Sequence, residues 1–194
     1  LMGVLADERL QGKLVYPVSQ GASMAGVVGA KLVHYGAAVS AIVFAGAMLN
    51  YYYSVVLFPG SDPGVAAAAR SAGLLAAYFA TRVVIVVFAS ALFAKPLAAG
   101  LAALVASYVE PIMASLPRWK SIVAYGLVDA ANKSLGTGTG TIPGAGAMMA
   151  AGGKGSEING WVLAAALAVQ VAVLVSVTIW RMKSVEIAPG AGAQ

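Results

Sequence analysis

Apolar residues in this chain fall into three long runs, separated by short polar stretches or by stretches rich in glycine and proline. The runs cover about residues 32–58, 71–94 and 161–180. Each reaches the roughly 20 residues that an α-helix needs to cross a hydrocarbon core of about 30 Å. The pattern therefore predicts an all-α, polytopic integral membrane protein with three transmembrane helices.

The ends of these runs carry residues that are typical of a membrane boundary. Three consecutive tyrosines, 51–53, lie near the end of the first run, shortly before the sequence PGSDPG. The third run has a tryptophan at each end, Trp161 and Trp180. Proline and glycine stop helices, and amphipathic rings favour the headgroup region. These positions predict where helices meet the membrane surface.

The segment 97–135, between the second and third runs, fits a crossing less well. Its first part is apolar, but Glu110 and Pro111 interrupt it before the length of a full span. Its second part separates Tyr125 and Val128 from Asp129, an amphipathic pattern. We expect one or two interfacial or half-spanning helices here. A fourth span in the first part is the alternative.

The distribution of positive charge favours three crossings over four. Three crossings place eight basic residues on the side of the N-terminus and three on the other, whereas four crossings divide them six to five. Cytoplasmic loops normally carry the excess of lysine and arginine. The eight are Arg9, Lys13, Lys31, Lys95, Arg118, Lys120, Lys133 and Lys154, and the three are Arg70, Arg181 and Lys183.

These patterns divide the chain into three parts. We expect an extramembrane N-terminal segment over 1–30, a membrane domain over 31–182 and a C-terminal tail over 183–194. Within the membrane domain, 136–158 is rich in glycine and low in complexity, which predicts a flexible loop. The sequence starts at Leu1 and Met2 rather than at an initiator, which leaves open a cleaved presequence or a start that the sequence omits.

Composition agrees with a membrane environment and narrows the function classes. Apolar residues make up 60% of the chain and charged residues 10%, against about 45–50% and about 25% in soluble proteins. The net charge is +5, but the basic residues are scattered rather than clustered, so we expect no nucleic-acid partner. The chain has no cysteine, which excludes disulfides and thiolate metal sites.

Arg82 lies in the middle of the second apolar run. A mid-span arginine costs roughly 2.5–3.5 kcal/mol on insertion scales. Three interpretations stand: a shifted span that lets Arg82 reach the interface, a structural ion pair or lipid contact, and a role in transport or catalysis. The candidate partner within the chain is Glu110, the carboxylate in the membrane-like region.

Catalytic and cofactor chemistry finds little support. His34 is the only histidine, whereas zinc takes three or four protein ligands and a b-type haem usually takes two axial side chains. His34 therefore binds a pigment, haem or quinone only if a partner chain shares the site. We expect no metal site, no required cofactor and no enzyme activity carried by this chain alone, although structural lipids are expected.

Small residues recur every four positions on the predicted spans. In lipid, close backbone approach through small side chains supplies the contact between helices. This spacing predicts helix-packing faces on the first and third spans, with a similar one on the second. The face on the first span comprises Ala37, Ala41 and Ala45, and the face on the third span comprises Ala164, Ala168 and Ala172. The face on the second span comprises Ala72, Ala76 and Ala80.

The functional hypothesis that follows is a structural or accessory subunit of a multi-subunit membrane complex, respiratory or photosynthetic. Its expected partners are other membrane subunits or copies of itself, together with lipids. The alternatives are a small oligomeric transporter or channel that uses Arg82 along an anionic path, and a virion membrane protein. An organellar inner membrane, a thylakoid and a prokaryotic plasma membrane all fit the composition.

Overall fold

A computed structural model describes residues 20–58, 62–93, 95–114, 116, 124–135 and 160–186. This part of the chain forms helices and contains no β-strand. The helices are, in chain order, α1 (Met24–Leu57), α2 (Val65–Leu92), α3 (Pro96–Ala114), α4 (Gly126–Ser134) and α5 (Gly160–Glu186). Four of them, α1, α2, α3 and α5, are long and apolar enough to cross a membrane. The fold is that of an all-α, polytopic membrane protein.

The start of α1 is set by a side-chain cap outside the apolar run. The hydroxyl oxygen of Ser23 accepts a hydrogen bond from the backbone N–H of Gly26 at 3.1 Å. Serine at this position satisfies one of the amide groups that the first turn of a helix leaves without a partner. Consequently α1 begins at Met24, within the expected extramembrane segment 1–30, about two turns before the predicted span.

Just before α2, Asp62 and Gly64 form a local turn. The carboxylate Oδ1 of Asp62 accepts the backbone N–H of Gly64 at 2.8 Å, the local bond by which aspartate stabilises turns. Gly64 adopts a φ of 86°, which glycine reaches without steric cost. Its carbonyl oxygen then accepts the N–H of Ala68 at 3.1 Å. Helix α2 therefore starts at Val65, before the predicted span of 71–94.

The expected interruption at Glu110 and Pro111 does not occur. Helix α3 has 19 residues and contains Pro111 in its last turn and a half. Proline lacks the N–H that would bond the carbonyl four residues earlier, but membrane helices tolerate it where that group finds another partner. The described residues of the segment 97–135 therefore form one helix of spanning length, α3, which agrees with the alternative of a fourth span, and a shorter helix, α4.

The long helices contribute to two compact units. Among the described residues, the first unit contains those within 20–36, 82–107 and 169–186, and the second contains those within 37–81 and 108–168. Each unit contains buried apolar side chains and alanines. Buried positions of the first unit include Met24, Val28, Val83, Val87, Ala99, Ala103 and Met182, and those of the second include Ala68, Ala72, Ala76, Ala124, Leu127, Ala131 and Leu163.

Some predictions fall outside the described residues. The glycine-rich loop over 136–158 and most of the tail over 183–194 lie there, as do residues 1–19 of the N-terminal segment. Helix α5 itself runs from Gly160 to Glu186, a few residues past the predicted span of 161–180 at its C-terminal end.

Candidate functional site

The most deeply buried carboxylate among the described residues is Glu110, near the C-terminal end of α3. Its side chain is 7% exposed. One carboxylate oxygen, Oε1, accepts a hydrogen bond from the backbone N–H of Tyr125 at 3.2 Å. Burying a charged group away from water is costly unless it is hydrogen-bonded. The bond to Tyr125 offsets part of that cost.

Tyr125 is the N-cap residue of α4 and immediately precedes Gly126. Helix α4 receives no side-chain hydrogen bond from its own N-terminal residues, and the Glu110 carboxylate reaches this position from a different helix. A carboxylate at a helix N-terminus is favourable because the peptide dipoles place partial positive charge there. In a capping box the same bond comes from within the helix. Glu110 therefore anchors the start of α4 to α3.

A tyrosine pair brings α2 into the same cluster. The rings of Tyr78 on α2 and Tyr125 meet edge to face, with centroids 6.2 Å apart and planes at 83°. This geometry is favourable for aromatic pairs. We call Glu110, Tyr125 and Tyr78 the Glu110 cluster. Its residues lie in the second compact unit, and a carboxylate hydrogen bond and a ring contact connect α2, α3 and the start of α4.

A second polar contact in that unit lies at the connection between α1 and α2. The hydroxyl of Tyr51 donates to Oδ1 of Asp62 at 2.8 Å, the oxygen that also accepts from Gly64. The backbone amide of Gly64, and then the Tyr51 hydroxyl, hold the pKa of Asp62 below its ordinary value. The Asp62 carboxylate thus remains ionised and ties the end of α1 to the turn.

Arg82 is the eighteenth of the 28 residues of α2 and is half-buried. Its position confirms that the arginine lies within a continuous helix. Arg82 belongs to the first compact unit and Glu110 to the second. Pairing of these two residues stays a prediction, while the structure gives Glu110 a backbone partner in Tyr125.

His34 is exposed on α1 and belongs to the first compact unit. Its ring lies edge-on to that of its neighbour Tyr35, with centroids 5.2 Å apart. Among the residues that the structure describes, no group of three or more histidine, aspartate or glutamate side chains is placed to hold a metal ion. A shared pigment, haem or quinone site at His34 stays a prediction.

The predicted helix-packing faces differ in exposure. On α2, Ala72 and Ala76 are buried. The hydroxyl of Ser40 on α1 donates to the backbone carbonyl of Ala76 at 3.4 Å, which requires the two helices to approach closely there. The faces on α1 and α5 are exposed in the single chain; they consist of Ala37, Ala41 and Ala45, and of Ala164, Ala168 and Ala172.

Sequence reasoning singled out Glu110 but missed Tyr78 and gave Tyr125 no role at the site. The partner of Glu110 is a backbone amide fifteen residues further along the chain, and no residue type signals that contact. Comparison with protein-family models, with curated proteins and with solved structures finds no match to this chain.

Proposed function

We propose that this chain is a structural subunit of a larger membrane assembly, in which it packs helix faces against other membrane subunits or further copies of itself. The observation that carries the proposal is the exposure of α1. No residue of α1 from Gly29 to Leu57 is buried, and the alanine face of α1, Ala37, Ala41 and Ala45, is uncovered.

Helix α2 illustrates how such a face is used within the chain. Small side chains at Ala72 and Ala76 are buried, and Ser40 reaches the Ala76 carbonyl. Van der Waals packing through small residues and hydrogen bonds between helices are the forces that hold membrane helices together. The faces on α1 and α5 have the same spacing, so a helix of another chain has the same contact available.

The polar groups of the second compact unit also favour a structural role. Glu110 binds the amide that starts α4, and Asp62 binds the turn before α2 and the hydroxyl of Tyr51. Each of these carboxylates joins two elements of the fold. A subunit that offers rigid helix faces to neighbours needs such internal connections.

The test is a bulky substitution on the exposed alanine face of α1. Ala41→Leu fills the space that a neighbouring helix would occupy, so we expect partners or further copies to be lost on gentle extraction and native mass spectrometry. Gly46→Leu is the matched control, since an added Cβ there meets no atom within 4 Å. It lies about 140° around the helix from Ala41 at 3.6 residues per turn.

Two results would contradict the proposal. One is a monodisperse monomer for the unmodified chain under mild extraction. The other is equal loss of association in Ala41→Leu and Gly46→Leu, because any bulky exposed residue would then have the same effect and the alanine face would have no special part.

A second candidate function is transport of an anionic solute, and the position of Arg82 favours it. Arg82 is half-buried in the interior of α2, and ionisable residues within membrane helices mark solute pathways in many transporters. The variant Arg82→Gln separates the two functions. Loss of anion flux into liposomes with the assembly intact supports transport, whereas loss of the assembly supports the structural role.

A further inference from the structure

We propose that the lipid bilayer surrounds α1 only from about Lys31 to Leu57, and that Met24–Ala30 project beyond the headgroups into water. This placement of the lipid around α1 follows from the membrane character of the fold and not from the proposed assembly.

Helix length supplies the first argument. With 34 residues, α1 is about 51 Å long at 1.5 Å per residue. A bilayer with its headgroups is about 40–45 Å thick. The segment from Lys31 to Leu57 spans about 39 Å at the same rise and fills that thickness. The seven residues from Met24 to Ala30 extend about 10 Å further.

Aromatic residues supply the second argument. His34 and Tyr35 lie one turn inside Lys31, and Tyr52 and Tyr53 lie one turn inside Leu57. Such amphipathic rings sit at the boundary between hydrocarbon and headgroups. Tyr35 and Tyr53 are about 27 Å apart along the helix, which is close to a hydrocarbon thickness of about 30 Å.

Helix α5 gives the same thickness independently. Trp161 is 86% exposed and Trp180 is 69% exposed, and they are separated by about 28 Å of helix. Arg181 and Lys183 follow Trp180 and are exposed. Two helices therefore carry aromatic residues at a spacing that matches one hydrocarbon core.

Burial along α1 supplies the third argument. The buried residues of α1 are Met24 and Val28, at 5% and 0% exposure, and both lie in the segment assigned to water. The residues of α1 from 29 to 57 include no buried residue. Apolar side chains in water need this chain's own residues to cover them, whereas lipid or a neighbouring membrane helix can cover those within the bilayer. The buried residues of α1 therefore end at Val28, close to Lys31, where we place the boundary between water and the bilayer.

Single cysteines test this register directly, because the chain has no cysteine of its own. Ala30→Cys and Ile42→Cys place spin labels at two exposed positions of α1, of which Ile42 is 72% exposed. The full chain is reconstituted into phosphatidylcholine and phosphatidylglycerol vesicles. Collisions of each label with oxygen, which prefers lipid, and with a water-soluble nickel chelate are then measured.

We expect the ratio of oxygen to nickel collisions to be low at residue 30 and high at residue 42. A hydrocarbon-like ratio at residue 30 would overturn the register, and Ala22→Cys, also exposed, provides an independent second reading. Low collision rates with both reagents at residue 42 would mean that another protein covers α1. That result supports the proposed assembly, while the register is decided at residue 30.

Discussion

The carboxylate of Glu110, on α3, accepts a hydrogen bond from the backbone amide at the start of another helix, α4. A buried amide donor without an acceptor costs about 1–3 kcal/mol of stability. The hydrogen bond to Glu110 removes this cost for the Tyr125 amide. The same reasoning explains why a glutamate is tolerated in the apolar helix α3. Its carboxyl oxygen lies at the N-terminus of α4, where the peptide dipoles favour an acceptor.

Replacing this carboxylate should loosen α4. We expect Glu110→Ala to destabilise the protein by about 1–3 kcal/mol, because the Tyr125 amide loses its acceptor, and Glu110→Gln to cost less, because the amide oxygen still accepts. Unfolding in mixed micelles and hydrogen exchange at the Tyr125 amide measure both effects.

Ser107→Ala is the matched control for this prediction. The Ser107 hydroxyl donates to the Ala103 carbonyl within α3, so its removal leaves the acceptor of the Tyr125 amide in place. Hydrogen exchange at Tyr125 in this variant should match that of the unmodified protein. Unchanged protection of that amide in Glu110→Ala would show that the carboxylate does not anchor α4.

Asp62 offers a residue-scale test by titration. Its pKa lies below 3.8 because Gly64 and Tyr51 donate to the carboxylate. Since the folded pKa is depressed, this contact stabilises the fold above pH 3.8 and the contribution is lost as the pH falls through the lower, folded pKa. Tyr51→Phe removes the second of the two donors, so the pKa of Asp62 should rise part of the way to its ordinary value.

Carbon-13 NMR of labelled aspartate follows this titration, and Tyr52→Phe is the control because Tyr52 is exposed and adjacent to Tyr51. An unchanged pKa of Asp62 in Tyr51→Phe would mean that the phenol does not donate to the carboxylate in the membrane.

At the scale of the helices, apolar runs predicted where helices lie but not where they begin. Helix α1 starts at the Ser23 cap and α2 starts after the Asp62 turn, both outside the apolar runs. Lipid favours apolar side chains only in the segment that it surrounds. Polar caps and turns determine how far the helix continues beyond that segment. This is why both helices are longer than their predicted spans.

Replacing each of two glycines by alanine should change the stability of the protein in opposite directions. Gly64 has a φ of 86°, and an added Cβ at Gly64 or Gly46 meets no atom within 4 Å. Gly64→Ala should destabilise by about 1–2 kcal/mol, because left-handed backbone is unfavourable for residues with a Cβ. Gly46→Ala, within α1, should stabilise by about 0.5–1 kcal/mol.

Thermal or detergent-induced unfolding followed by circular dichroism measures these two changes side by side. Equal shifts for Gly64→Ala and Gly46→Ala would contradict the conformation at the connection between α1 and α2.

At the scale of the whole molecule, the all-helical membrane fold was predictable from three apolar runs, and the number of long helices was not. The local sequence at Glu110 and Pro111 predicts the end of a short helix. The backbone amide that donates to Glu110 belongs to Tyr125, at the start of a later helix. A stretch of sequence confined to α3 therefore does not contain it. The Glu110 cluster could not be predicted for the same reason.

The difference between three and four long helices also changes the charge argument. With α3 as a crossing, the basic residues divide six to five between the two sides, so positive charge no longer selects an orientation. What four crossings do require is that the start of α1 and the end of α5 lie on the same side of the membrane.

The most direct test of the four-crossing fold is therefore the sidedness of those two ends. Ala22→Cys and Ser184→Cys are exposed positions in a chain without other cysteines. A membrane-impermeant maleimide is added to sealed, uniformly oriented native membrane vesicles. We expect both cysteines to react from the same side. Reaction from opposite sides would show that an odd number of helices crosses the membrane and would contradict the four-crossing fold.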